Sequence, residues 1–235
     1  QGGLKYAGVE YIAAMVKAAA DKATVPVALH LDHGTDFKQI MMCLRNGFTS
    51  VMIDGSHYEL EENIKKTKQI VEMAHAIGVS VEAELGKIGG TEDDISVDEK
   101  DATFTDPDEA ERFVKETEVD YLAIAVGTAH GPYKGEPKID FDRIKVIKER
   151  LNMPLVLHGS SGVPEESIKK AVSLGINKIN IDTDIRMAFH KAVKEFIKEN
   201  PDVYDPRKIL GPARKEMKNV ITDRMRMFGS AGMAW

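Results

Sequence analysis

The segments Val27-Ala-Leu-His-Leu31 and Leu122-Ala-Ile-Ala-Val126 decide the fold, because each is almost continuously apolar and is followed by a turn and an amphipathic stretch. Strands carry such runs when helices cover both faces of a sheet or when a barrel closes around them. Short runs of this kind recur along the chain and alternate with stretches of helical periodicity. The alternation predicts an α/β protein with a parallel sheet.

Six strands and the helices between them can be placed by this pattern. The strands are predicted over Val25–Asp32, Ser50–Asp54, Val79–Leu85, Tyr121–Gly127, Pro154–His158 and Lys178–Asp182. The helices are predicted over Tyr6–Ala23, Asp36–Asn46, Glu59–Ile77, Asp106–Thr117, Asp140–Leu151, Pro164–Leu174, Asp184–Glu199 and Pro206–Phe228. A (β/α)8 TIM-type barrel needs eight strands. Either the sheet is open or the first two barrel strands are missing from this chain, and the helix before the first strand favours the second explanation.

Composition limits the classes of partner. The 235 residues are 43% hydrophobic, which suffices for one buried core, so we expect a single domain over residues 1–235. The 32 basic and 38 acidic residues are interspersed, which argues against a nucleic-acid partner. No apolar stretch is long enough to span a membrane, and the single cysteine, Cys43, lies in an apolar helical run. We therefore expect a cytoplasmic protein with a small-molecule partner and no membrane partner.

Polar and titratable side chains gather where the predicted strands end. They are His30, Asp32, His33, Asp54, Glu82, Glu84, His130, His158, Asn180 and Asp182. The carboxyl ends of parallel strands meet on one face of a barrel, which is where barrel enzymes keep their active sites. The sequence therefore predicts a site on that face.

Three histidines in this set suggest a metal. His33, His130 and His158 lie outside the predicted helices, and each is followed by glycine. One histidine alone is most simply an ordinary hydrogen-bonded residue, but three imidazoles with an open position form a catalytic zinc site. Neighbouring strand residues face opposite ways, so Asp32 and His33 can share this site only if His33 already belongs to the loop.

A glycine-rich turn, His158-Gly-Ser-Ser-Gly-Val-Pro164, brings backbone N–H groups and two hydroxyls to the start of a helix. That arrangement suits a phosphate, although the same residues also suit a plain helix cap. Asn180-Ile-Asp-Thr-Asp184 follows one β-α unit later, and barrel phosphate sites often use the loops after the last two strands. The pair therefore favours a phosphorylated ligand.

The segment Gly86–Thr105 breaks the alternation, because it contains Gly89-Gly90 and an acidic run but no sustained periodicity. Long loops of this kind in compact domains are often lids. We therefore predict a lid without regular structure over these residues.

Six ordered motifs resemble those of class II fructose-bisphosphate aldolases. They are Leu29-His-Leu-Asp-His-Gly34, Val51-Met-Ile-Asp-Gly-Ser-His57, Val81-Glu-Ala-Glu-Leu-Gly86, Gly127-Thr-Ala-His-Gly131, Leu157-His-Gly-Ser-Ser-Gly162 and Lys178-Ile-Asn-Ile-Asp-Thr-Asp184. The ending Met227-Phe-Gly-Ser-Ala-Gly232 is similar to the shorter subgroup, which also includes tagatose-bisphosphate aldolases. The resemblance spans nearly the whole chain. It implies reversible cleavage of fructose 1,6-bisphosphate to dihydroxyacetone phosphate and glyceraldehyde 3-phosphate.

The resemblance also implies a role for each site residue. In the metal centre, zinc, or cobalt in its place, is held by His33, His130 and His158, and in a second resting position by Asp54 and Glu84. Asp32 matches the residue that moves the proton of the substrate C4 hydroxyl, and Glu92 matches a glutamate that transfers a proton at the triose carbon. One phosphate, with a monovalent cation near it, is cradled by Gly131, Gly159, Ser161 and Thr183. Sugar oxygens contact Asn180 and Asp182, and the other phosphate binds Arg207 of a neighbouring subunit in a homodimer or higher homo-oligomer.

Three other functions stay open. A tagatose-bisphosphate aldolase acts on a substrate that differs at one carbon only, but Asp182 resembles the fructose enzymes. A zinc hydrolase would use the same histidines with an aspartate that activates water, but it has no need of a phosphate cradle. A non-catalytic phosphosugar-binding barrel has no need of an open zinc site.

Overall fold

The computed structural model describes residues 2–92, 95–98, 102–133 and 135–234, and of residues 92, 95 and 96 the backbone alone. The helices in these ranges are α1 Gly2–Ala7, α2 Val9–Ala20, α3 Phe37–Arg45, α4 Leu60–His75, α5 Pro107–Thr117, α6 Phe141–Leu151, α7 Glu165–Ser173, α8 Thr183–Glu199 and α9 Pro206–Met227. The strands are β1 His30–Gly34, β2 Ser50–Ile53, β3 Ser80–Leu85, β4 Gly89–Glu92, β5 Ile95–Val97, β6 Tyr121–Ile124, β7 Ala129–His130, β8 Leu155–Leu157 and β9 Ile176–Ile179.

The main sheet contains six strands in the order β1-β2-β3-β6-β8-β9. All of its pairings are parallel, and a helix separates each strand from the next. The strands lie side by side in the order in which the chain makes them, which is the order of a (β/α)8 barrel. The prediction of six parallel strands with intervening helices is therefore confirmed, and β1 and β9 form the two edges of the described sheet.

Helix α5 shows how local sequence fixes an element of this fold. The Asp106 carboxylate accepts hydrogen bonds from the N–H groups of Asp108 and Glu109, and Pro107 occupies the first turn, where it costs no hydrogen bond. Ala110 and Phe113, three residues apart, are fully buried against the sheet. Burial of a side chain such as Phe113 contributes about 1.5–3 kcal/mol. The helix therefore has both a defined start and a defined packing face.

The first strand is shorter than predicted. Residues 25–29 were expected to be extended within the sheet, but β1 begins only at His30. This segment precedes an edge strand, Pro26 has no N–H to donate, and Val25 and Val27 are about half exposed. The prediction of a strand from Val25 is therefore wrong at its start.

Two further boundaries differ from the sequence prediction. The opening helix is divided into α1 and α2 at Gly8, whose φ of 86° no α-helix accommodates. The last strand was predicted from Lys178, but β9 begins at Ile176, directly after the turn that ends α7, and leaves the sheet before Asn180. Asn180 and Asp182 therefore belong to the loop that carries the site.

The segment predicted as a lid without regular structure contains two strands. β4 pairs with β5 antiparallel and with β7 parallel, so these strands form a second, three-stranded sheet. Strands of three or four residues with adjacent glycines give no alternation that a sequence pattern can detect. The prediction of irregular structure is wrong here.

None of the helices in the described part of the chain combines the length and apolar character that a membrane span requires.

Candidate active site

His33 reaches the site through an irregularity in β1. The register with β2 shifts between Leu31 and Gly34, and His33 adopts a left-handed conformation with φ 50°. A bulge of this kind re-aims side chains that would otherwise alternate between the two faces of the strand. From the sequence, Asp32 and His33 could share a site only if His33 belonged to the following loop. His33 instead belongs to β1, and the irregularity places it on the same side as Asp32.

The three predicted histidine ligands lie together. Ring nitrogens of His33, His130 and His158 are all within 4.8 Å of one another, and all three side chains are buried. Nε2 of His33 lies 3.0 Å from Nδ1 of His158. His158 directly follows β8 of the main sheet and His130 ends β7 of the three-stranded sheet, so the two sheets each contribute a ligand to the cluster.

Carboxylates on the far side of these rings show that the cluster fits a metal ion. Nε2 of His158 lies 2.8 Å from Oε1 of Glu82, and Nδ1 of His33 lies 2.9 Å from Oδ2 of Asp54. If each neutral ring donates a hydrogen bond to its carboxylate, then Nε2 of His33 and Nδ1 of His158, which face each other, both present lone pairs. A cation between those lone pairs resolves the repulsion, and a carboxylate on the second ring nitrogen is the usual partner of a metal-bound histidine. These residues therefore suit zinc with an open position.

A second group of possible ligands adjoins the first. Atoms of His33, Asp54 and Glu84 also lie within 4.8 Å of one another. Burial and the negative charge of Asp54 raise the pKa of Glu84 well above its usual range. Burial acts in the same direction on Asp54, but hydrogen bonds from His33 and Ser56 bring its pKa down to about 2. A metal displaced from the three histidines would thus meet two carboxylates.

Asp32 is placed to exchange a proton with a ligand. Its side chain is partly exposed to the cavity, and its Oδ1 accepts a hydrogen bond of 3.0 Å from Nδ2 of Asn180. Burial raises the pKa of this carboxyl, but nearby basic groups, with His158 and His33 ahead of Lys178, outweigh burial and lower the pKa to about 2. Asp32 is therefore ionised at neutral pH and can accept a proton.

A cavity of about 270 Å³ opens beside Asp32 and His130. All of the residues expected to hold the phosphate and sugar on this side line its wall, namely Gly131, Gly159, Ser161, Asn180, Asp182 and Thr183. Gly159 has φ 64°, and a Cβ there would lie 2.6 Å from the carbonyl oxygen of Ala129, so the turn requires glycine. The cavity is near the lower end of the range for small-ligand sites, roughly 300–1,000 Å³.

Two predicted site residues are placed by the described atoms neither in the cavity wall nor in the groups of possible metal ligands. Arg207 lies at the start of α9, pairs with Asp205, and exposes 89% of its side chain. It does not line the cavity. Glu92 ends β4, and its side chain lies outside the described residues.

Three residues to which the sequence assigned no role belong to the site. His30 and Lys178 line the cavity, and Glu82 lies behind His158. Alternation along a strand was the available signal, because residues two apart share a face. His30 precedes Asp32 by two positions, and Lys178 precedes Asn180 by two.

The family to which these features belong is shown by comparison with known proteins. The family model described as fructose-bisphosphate aldolase class-II matches residues 1–233. A fructose-bisphosphate aldolase of Geobacillus stearothermophilus is 50% identical, over 100% of this chain and 82% of the relative. One of Thermus caldophilus is 49% identical, over 100% of this chain and 84% of the relative. A sulfofructosephosphate aldolase of Alkalicoccus urumqiensis is 48% identical, over 97% of this chain and 79% of the relative.

Solved structures agree with this assignment. The YdjI aldolase from Escherichia coli K12 superimposes with a TM-score of 0.84 at 36% identity, over 100% of this chain and 81% of that one. A putative fructose-1,6-biphosphate aldolase from Coccidioides immitis gives a TM-score of 0.87 at 31% identity, over 98% of this chain and 80% of that one. The predicted TIM-type α/β architecture is thereby confirmed. The chain belongs to the class II fructose-bisphosphate aldolase family, and it is an aldolase, a lyase.

Proposed function

We propose that this aldolase cleaves fructose 1,6-bisphosphate reversibly into dihydroxyacetone phosphate and glyceraldehyde 3-phosphate. The observation that carries the proposal is that three histidine ring nitrogens lie close together beside a cavity whose wall includes His130, Asp32 and the Gly159–Ser161 turn. A hydrolase or a simple binding protein has no use for all three features together. The names of the relatives support the choice of sugar.

Asp32 is the group that moves the proton in the bond-breaking step. Its ionised carboxylate takes the proton of the C4 hydroxyl while the C3–C4 bond breaks, and the bonding electrons stay on the dihydroxyacetone phosphate half. Asn180 holds Asp32 through the Nδ2–Oδ1 hydrogen bond. In the synthetic direction Asp32 returns the same proton. General-base assistance of this kind contributes roughly 10²- to 10⁴-fold.

His33, His130 and His158 would hold a zinc ion, or cobalt in its place. When bound there, the ion supplies a Lewis acid for the negative charge that develops on the oxygens of the triose half, a contribution of several kcal/mol. Asp54 and Glu84 would receive the ion in a resting position. Glu92 is proposed to exchange the proton at the triose carbon.

The remaining roles concern binding and assembly. Gly131, Gly159, Ser161 and Thr183 would cradle one phosphate with a monovalent cation nearby, while Asn180 and Asp182 meet the sugar oxygens. Arg207 of a neighbouring subunit would bind the second phosphate, which requires a homodimer or higher homo-oligomer. The larger of the two hydrophobic clusters in the described residues extends from Val9 to Ile176, which supports a single domain over residues 1–235. The buried free thiol of Cys43 suits a reducing cytoplasm.

The proposal is tested by the release of triose phosphate from fructose 1,6-bisphosphate. Zinc-loaded enzyme should be active, chelator-stripped enzyme should be inactive, and zinc or cobalt should restore activity because imidazoles suit such ions. Full activity after verified metal removal would exclude the metal-dependent mechanism. No cleavage by zinc-loaded enzyme would exclude the proposed reaction.

A second candidate substrate is a sulfofructose phosphate. One relative carries that name at 48% identity, and Arg207, proposed for the second phosphate, lies outside the cavity wall of its own chain. The residues that line the cavity therefore do not determine which charged group the substrate carries at the far end of the sugar. Comparing kcat/KM for fructose 1,6-bisphosphate, its tagatose epimer and a sulfofructose phosphate separates these substrates, and we expect the highest value for the fructose bisphosphate.

A further inference from the structure

Lys178 is a cationic residue of the cavity wall to which the mechanism above assigns no role. Its Nζ lies 2.8 Å from Oε2 of Glu82 and donates a hydrogen bond of 2.6 Å to Oδ1 of Asn180. Glu82 has no exposed side-chain surface, whereas 32% of the Lys178 side chain is exposed. Lys178 thus joins a buried carboxylate to the amide that contacts Asp32.

The hydrogen bond to Asn180 decides which way the amide faces. An asparagine side chain has one accepting and one donating end. With Oδ1 held by the Lys178 ammonium, Nδ2 is turned toward Asp32 and lies 3.0 Å from its Oδ1. A flipped amide would place its oxygen against the Asp32 carboxylate, where two acceptors repel. The ammonium therefore selects the orientation in which Asn180 supports Asp32.

The ion pair with Glu82 extends the same network to the histidine cluster. The second oxygen of Glu82, Oε1, lies 2.8 Å from Nε2 of His158. Glu82 therefore contacts the Lys178 cation with one oxygen and the His158 ring with the other. A buried ion pair contributes little net stability against its desolvation cost. Because this ion pair lies between Asp32 and His158, its main effect is to position those two residues rather than to stabilise the fold.

We propose that Lys178 is a positioning residue of the aldol reaction. Through Asn180 it sets the orientation of Asp32, and through Glu82 it keeps the Nδ1 lone pair of His158 directed at the metal position. The proposal rests on the proposed function, because Asp32 is the proton-transfer group in that reaction. Lys178 acts as a hydrogen-bond donor and forms no covalent bond with substrate.

A double-mutant cycle in zinc-loaded enzyme tests the link between Lys178 and Asn180. Lys178→Met should lower kcat about 10- to 100-fold, the usual cost of removing an outer-shell partner. In an Asn180→Ala background the same change should lower kcat by a clearly smaller factor, because the amide that it positions is gone and only its contact with Glu82 remains to be lost. Lys169→Met, on the exposed face of α7, is the matched control and should leave kcat unchanged. Equal effects of Lys178→Met in both backgrounds would overturn the proposal.

A charge-balanced variant covers the case in which Lys178→Met fails to fold. Lys178→Met combined with Glu82→Gln removes both charges and keeps an oxygen that accepts from His158. This variant should fold and retain zinc, measured by metal analysis, but its kcat should stay about 10- to 100-fold low because Asn180 lacks its donor. Recovery of wild-type kcat would show that Lys178 only neutralises Glu82, which contradicts the proposal.

A measurement independent of turnover separates this proposal from the proposed function. In ¹⁵N-labelled protein, the side-chain amide signals of Asn180, assigned by their loss in Asn180→Ala, should shift in Lys178→Met and stay in place in Lys169→Met. Unchanged signals would overturn the positioning role even if the enzyme cleaves the sugar. A borohydride-trapped adduct between dihydroxyacetone phosphate and Lys178 would also overturn it. Failure of the wild type to cleave the sugar would count against the proposed function alone.

Discussion

At the scale of single residues, two of the three histidines of the cluster are oriented by a carboxylate behind them. Glu82 faces His158 and Asp54 faces His33, so a neutral ring that donates a hydrogen bond to its carboxylate presents its other nitrogen, without a proton, to the cluster. Metal affinity should therefore depend on the rings and on these partners together. The same arrangement predicts that removal of one ring empties the metal position.

His158→Ala should abolish stoichiometric zinc binding, because only two of the three imidazoles would remain. His75→Ala is the matched control, since His75 pairs with Asp120 on the surface of α4 and is not part of the cluster. Metal analysis after dialysis against buffered zinc measures both variants. Wild-type zinc content in His158→Ala would contradict the ligand assignment.

Asp32→Ala should behave in the opposite way and keep its zinc while losing most turnover. The expected loss is roughly 10²- to 10⁴-fold in kcat, because general-base assistance disappears while the three rings stay in place. Asp142→Ala, an exposed change on α6, is the control and should have wild-type kcat. If Asp32→Ala loses zinc instead, then Asp32 is a ligand and its role has been misassigned.

That these side chains lie close together could be predicted from residue types and strand ends, but the local geometry that brings them together could not. Histidines and carboxylates at strand ends sufficed to indicate a metal site. The bulge that turns His33 to the same side as Asp32 has no sequence signal, because it depends on the register between β1 and β2. Lys178 was missed because a lysine at a strand start is most simply a solvated residue.

At the scale of elements, a backbone pairing joins the lid segment to a histidine of the cluster. Gly90 in β4 pairs with His130 in β7. Gly90 has φ 98°, and a Cβ there would collide with the carbonyl oxygen of His130. The position of β4 and the position of the His130 ring are therefore linked through the main chain.

Gly90→Ala should open this pairing and weaken both stability and metal binding. The left-handed backbone alone costs about 1–3 kcal/mol for a residue with a side chain. Gly135→Ala is the control, because a Cβ there meets no atom within 4 Å. Urea unfolding and zinc titration measure the two effects. Wild-type zinc affinity in a folded Gly90→Ala protein would show that β4 does not act on His130.

The strand order could be predicted from the sequence, whereas several element boundaries could not. Apolar runs separated by amphipathic stretches define the order of strands well, since each run must be buried. Val25 to Leu29 carries the same apolar pattern as a strand but precedes the sheet edge and contains Pro26. Whether an apolar run pairs depends on a neighbouring strand, and that information is not local.

At the scale of the whole molecule, Arg207, which is expected to bind the second phosphate, does not line the cavity of its own chain. The Arg207 guanidinium is bound to Asp205, and 89% of the side chain is exposed. The proposed homo-oligomer would instead bring Arg207 to the site of a second copy of the chain, where it would bind phosphate bidentately.

Mixing two impaired variants, assayed at a substrate concentration well below the KM of Arg207→Ala, tests whether Arg207 acts across a subunit interface. Arg207→Ala should raise KM for the bisphosphate without changing zinc content, whereas Arg226→Ala, at the other end of α9, should change neither. Hybrids of Arg207→Ala and Asp32→Ala subunits would contain one site with both native groups. Random pairing into dimers makes about half of them hybrids with one such site, so about a quarter of wild-type activity should return. Hybrids confirmed by mass but without regained activity would place Arg207 in its own subunit's site, or outside catalysis altogether.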